Sequence, residues 1–82
     1  LNLSNNNIGD EGAKLIAESL KINTTLKILN LSNNNIGDEG AMSLATAKEQ
    51  HNIEINIALA SNQISIEVKA IIFTKEINIS LF

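Results

Sequence analysis

An 82-residue chain with net charge −3 can form one small domain at most. Its six cationic side chains, all lysine, make no clustered basic face, so neither nucleic acid nor an anionic membrane surface is an expected partner. Cysteine is absent, which excludes disulfides, thiolate metal sites and thiol nucleophiles, and fits a cytoplasmic protein better than a secreted one.

The chain repeats itself. Residues 1–13 read LNLSNNNIGDEGA, and residues 29–41 read the same thirteen letters at an offset of 28. A weaker third copy, Ile57 to Ile64, keeps the L-x-L-x-x-N-x-I skeleton. A fixed period of this size signals a solenoid, with units expected at about 1–28, 29–56 and 57–82, the last degenerate. Leu1 and Leu3 alternate with Asn2 and Ser4, the period of a short strand with one buried face. The run Gly9-Asp10-Glu11-Gly12 then turns into a helix whose apolar stripe is Ala13, Ile16, Ala17 and Leu20. Leu26 and Leu29 open the second strand, which carries Leu31 inward. In the second helix Asp38 is the expected N-cap, with Glu39 beside it at the positive end of the helix dipole. Its stripe is Ala41, Leu44 and Ala45, and Lys48 stands where Leu20 stood. The third unit keeps Val68, Ile71 and Ile72 as a stripe, with Ser65 and Val68 at the glycine positions. Ile77, Ile79 and Leu81 alternate again, which predicts a fourth strand after a shortened unit.

Asn6, Asn34 and Asn62 fall at one position of the three units, just after the strand. A carboxamide offers both a donor and an acceptor to backbone groups that lose their ladder partners there. Stacked, the three should form an asparagine ladder, with Asn5, Asn7, Asn33 and Asn35 beside it facing solvent.

The pattern from Leu26 to Ala45, L-x-x-L-x-L-S-x-N-x-I-G-D-E-G-A-x-x-L-A in outline, resembles the leucine-rich repeats of ribonuclease inhibitor. It is similar also to those of NOD-like receptors and Ran GTPase-activating proteins. The resemblance covers most of residues 1–64. It implies an α/β solenoid fragment, with short parallel strands on the concave side and helices on the convex side. It implies too that a protein partner is bound, largely on the strand side. Ribonuclease inhibitor is rich in cysteine and Ran GTPase-activating proteins depend on arginine; this chain has neither, so those two activities are not implied.

No catalytic, cofactor or metal residue is expected. His51 has no partner repeated around it, and the Asp10-Glu11 and Asp38-Glu39 pairs recur because the repeat recurs. The glycine run lacks the lysine and spacing of a phosphate loop. A strand-side binding face remains, formed by Asn2, Ser4, Ile28, Asn30, Ser32, Asn56, Ala58 and Ala60. The expected function is a protein–protein interaction module without catalysis and without a small-molecule substrate. The alternative is a repeat segment of a larger signalling or enzymatic protein whose activity lies outside this sequence.

Overall fold

The computed structural model describes residues 1–22 and 25–82; Asn23 and Thr24 lie outside the described residues. Helix and strand alternate along them: α1 (Gly9–Leu20), β1 (Ile28–Asn30), α2 (Asp38–His51), β2 (Asn56–Ala58), α3 (Ile66–Thr74) and β3 (Ile79–Ser80). The strands form one parallel sheet in the order β1-β2-β3. Helix α1 packs on α2, and α2 on α3. Residues 1–4 join the sheet through a single parallel bridge, Asn2 to Asn30, and not through a full strand. Two backbone bonds of 2.9 Å hold it, Leu3 N–H to the Asn30 carbonyl and Asn30 N–H to the Leu1 carbonyl.

Alternation along each strand sends every second side chain inward. Leu29, Ile57 and Ile79 therefore stack in register, and Leu31, Leu59 and Leu81 follow two residues on, all buried. Burying each such side chain contributes about 1.5–3 kcal/mol. Leu1, expected to point inward, is 62% exposed, and Leu3 is only partly buried, because this outermost segment is covered from one side.

The helix layer closes over these rows with small side chains. Ala13, Ala17 and Leu20 of α1 are buried, while Ile16 is half-buried. Ala41, Leu44, Ala45 and Ala47 do the same for α2. The left-handed φ of +50° at Asn52 ends α2, with its N–H returned to the Lys48 carbonyl. In α3 the inward stripe is Val68 and Ile72, one turn apart. Ile71, expected in that stripe, sits about 100° round the helix from Ile72 and is 41% exposed. The last unit is short: β3 follows β2 at a spacing of 22 residues, whereas neighbouring earlier units are 28 apart.

Lys48 occupies the stripe position held by Leu20 in α1, and the fold buries it nonetheless, at 8% exposure. Its ammonium group donates to the Ile55 carbonyl just before β2. Burial pushes its pKa below the ordinary 10.5, against the opposing pull of the Glu54 carboxylate. Between the two values the unfolded chain binds the proton and the folded chain does not, so this group adds stability as pH rises. The parent should therefore gain urea stability relative to Lys48→Met as pH is raised from neutrality towards 10.5. A difference that stays flat across that range would contradict burial as the cause.

Candidate functional site

Where the chain turns after each strand, buried backbone groups need new partners. Asn34, at 0% exposure, supplies them: its Oδ1 accepts the N–H of Asn6 at 2.8 Å and of Ile8 at 3.2 Å. Its Nδ2 donates to the carbonyls of Leu3 at 2.8 Å and Ser32 at 3.1 Å. Asn62 repeats the arrangement one unit on. Its Oδ1 accepts the N–H of Asn34 at 2.9 Å and of Ile36 at 2.8 Å, and its Nδ2 donates to the carbonyls of Leu31 and Leu59. Asn6 is exposed, and its Nδ2 bonds only its own turn, at the Leu3 and Ser4 carbonyls. The carboxamides of Asn34 and Asn62 thus each serve the turn of the preceding unit as well as their own.

The flanking asparagines do more than face solvent. Asn5, Asn7, Asn33 and Asn35 are exposed and take φ of 62°, 54°, 55° and 60°. Ordinary L-residues pay roughly 1–2 kcal/mol in this left-handed region, which asparagine visits more readily. These four are therefore conformational residues.

The acidic pairs also act across units. Asp38 is the first residue of α2 and does not cap it; Gly37 is the N-cap and makes no side-chain bond. The cap is Asp10, whose Oδ1 accepts the N–H of Gly37 at 2.7 Å and of Gly40 at 2.9 Å. Asp38 in turn accepts the N–H of Ser65 at 2.6 Å, before α3. A carboxylate at a helix start satisfies orphan donors and suits the dipole, and here it comes from the previous repeat. Gly40 is required by this closeness, since a Cβ there would lie 2.7 Å from Asp10 Oδ1 and 2.9 Å from the Ala13 Cβ.

With the turns held, the strand side is a defined surface. Asn2, Asn30, Ala58 and Ser80 share one register row, and Ile28 stands opposite Asn56 in the next. Asn2, Ile28 and Asn56 are exposed; Ser4, Asn30, Ser32, Ala58 and Ala60 are half-buried. Asn2 Oδ1 accepts the Ser4 N–H at 3.0 Å and hydroxyl at 2.6 Å, and Asn30 Oδ1 does the same for Ser32. Asn78 donates to Asn56 Oδ1 at 2.9 Å.

The opposite side combines charged pairs with exposed apolar side chains. Lys14 pairs with Glu39 across the helices and with Glu11, and Lys75 pairs with Glu49. The Glu39 carboxylate chiefly raises the Lys14 pKa. Yet Leu15, Ile66 and Phe73 project from α1 and α3, each at least 69% exposed. In α3 this follows from a helix that is apolar nearly all round, from Ile66 to Phe73, so one buried stripe cannot hold every apolar residue. Beside it Lys69 Nζ lies 4.5 Å over the Phe82 ring, a cation–π contact. His51 ends α2 exposed. Among the described residues no three His, Asp or Glu side chains gather as metal ligands, and no helix is long and apolar enough to cross a membrane.

The sequence model of the family described as Leucine Rich repeat matches residues 1–17 and 23–45, just under half of the chain. No curated protein matches the chain. The match and the stacked parallel strands backed by helices make this an α/β leucine-rich-repeat solenoid. Domains of this family generally mediate protein–protein interaction.

In urea melts Asn34→Ala should cost at least the ~1–3 kcal/mol of one unpaired buried polar group. Asn35→Ala should cost about 1–2 kcal/mol through its left-handed backbone, and Asn35→Gly close to nothing. Equal losses for Asn34→Ala and Asn35→Gly would contradict both assignments.

Proposed function

We propose that the chain is a protein-binding module of the ribonuclease-inhibitor-like type, without catalysis of its own, that takes its partner on the strand side. The observation that carries this reading is the composition of that side. Its eight residues, Asn2, Ser4, Ile28, Asn30, Ser32, Asn56, Ala58 and Ala60, hold no charge and end in small groups around the exposed Ile28. Interface cores are depleted in charged residues, and small side chains let another backbone approach closely. On the helix side the paired lysines and glutamates are well solvated, and exposed pairs of this kind contribute little.

The subtype is supported by the 28-residue spacing and by helices of 12 and 14 residues in the first two units. The similarity to NOD-like receptor and Ran GTPase-activating protein repeats rests on the I-G-D-E-G-A run. In this chain its aspartate caps the next helix and its second glycine admits that contact. A cytoplasmic location belongs to the same reading, supported by the lack of cysteine. Trp, Tyr and Arg, the usual hot-spot residues, are missing, so this surface contributes matched area more than a single anchor.

A photo-crosslinking amino acid placed at Ala58 should capture a protein in cells of the source, and the same probe at Glu18 on α1 should not. Capture from Glu18 with none from Ala58 would overturn the strand-side assignment.

A further inference from the structure

The strand side carries a pair of hydrogen-bond donors whose direction the backbone sets. Asn2 and Asn30 face each other in the parallel bridge between their segments. In each, the side-chain atom held by the N–H two residues on, at 3.0 Å, must be the oxygen, because a backbone N–H can only donate. The serine hydroxyls of Ser4 and Ser32, at 2.6 Å, fill the same oxygens further. The Nδ2 amino groups consequently turn the other way. Among the described residues neither of them has a protein partner.

Two such groups on neighbouring parallel strands stand roughly 4.8 Å apart. One oxygen placed between them and slightly off the sheet comes within about 2.9 Å of both. A carbonyl oxygen has two lone pairs to receive them. Ile28, 61% exposed, lies two residues before Asn30 on the same side of β1, and Ala58 continues the row beyond Asn30 without a polar side chain.

Charge decides which oxygen fits. No lysine or arginine is among the eight strand-side residues, and the chain as a whole carries −3. A carboxylate arriving here would give up water without meeting a counter-charge, which is costly, whereas a neutral carbonyl gives up much less. Resting on the reading of the strand side as the binding face, we propose that Asn2 and Asn30 clamp a main-chain carbonyl of an extended, uncharged peptide segment of the partner. Ile28 receives an apolar side chain of the same segment.

The test is to pan a phage-displayed library of random peptides on the chain and to measure the selected peptides on Asn30→Asp. That change keeps an acceptor for the Ser32 N–H, so the turn survives, but replaces the donor by an oxygen; circular dichroism checks the fold. The selected peptides should be poor in Asp and Glu, and should lose on the order of tenfold in affinity on Asn30→Asp. They should also move the Nδ2 proton resonances of Asn2 and Asn30 in the parent. Unchanged binding to Asn30→Asp overturns the clamp. If the same peptides are lost on Ile28→Glu, the strand-side reading stands without it; if they bind Ile28→Glu equally well, both fall. An empty selection, or one dominated by acidic peptides, overturns the neutral-carbonyl clamp.

Discussion

Each strand here is too short to carry its turn, and a buried carboxamide replaces the ladder that is missing. Strands β1 and β2 have three residues and β3 has two. The backbone leaves the sheet almost as soon as it enters, while Asn34 at that point is fully buried. A made hydrogen bond contributes only about 0.5–1.5 kcal/mol net, but a buried group left unpaired costs about 1–3 kcal/mol. Asn34 satisfies two N–H groups and two carbonyls, so its weight lies in penalties avoided. The backbone is left-handed at Asn33 and Asn35 on either side of it.

Because the carboxamide oxygen faces the preceding turn, the units are coupled and none is complete alone. Asp10 and Asp38 couple the helix layer in the opposite direction of sequence, each reaching forward to the next helix start. The third unit breaks that series. Ile66 stands one repeat on from Asp38 and Val68 one repeat on from Gly40, and α3 is capped by its own Ser65, whose hydroxyl accepts the Val68 N–H.

Much of this was legible in the chain. The offset of 28 located the units, and alternation placed Leu29, Leu31, Ile57 and Leu59 inside, where they are buried. Other features were illegible for definite reasons. Asp38 looks like an N-cap because capping is normally local, and only the stacking distance reveals that Asp10 reaches Gly37. Lys48 stands at a stripe position despite its charge, and no spacing rule tells that its ammonium finds the Ile55 carbonyl. Ile71 looks like core, but a helix in one packed layer buries only one stripe. On the strand side, composition showed a neutral surface. The direction of the Asn2 and Asn30 carboxamides depends on bonds to Ser4 and Ser32 that no spacing rule reports.

The strand-side surface inherits its order from the ladder, since the rows of small side chains keep register only while the turns behind them hold. Hydrogen exchange of the backbone amides, followed residue by residue by NMR, tests that dependence most directly. The amides of Asn6, Ile8, Asn34 and Ile36, all accepted by a ladder oxygen, should exchange as slowly as the core amides of Leu31 and Leu59. The equivalent amides of Asn62 and Ile64, which no described asparagine accepts, should exchange fast. If Asn34 and Ile36 exchanged as fast as Asn62 and Ile64, the carboxamide ladder could not be what holds the turns.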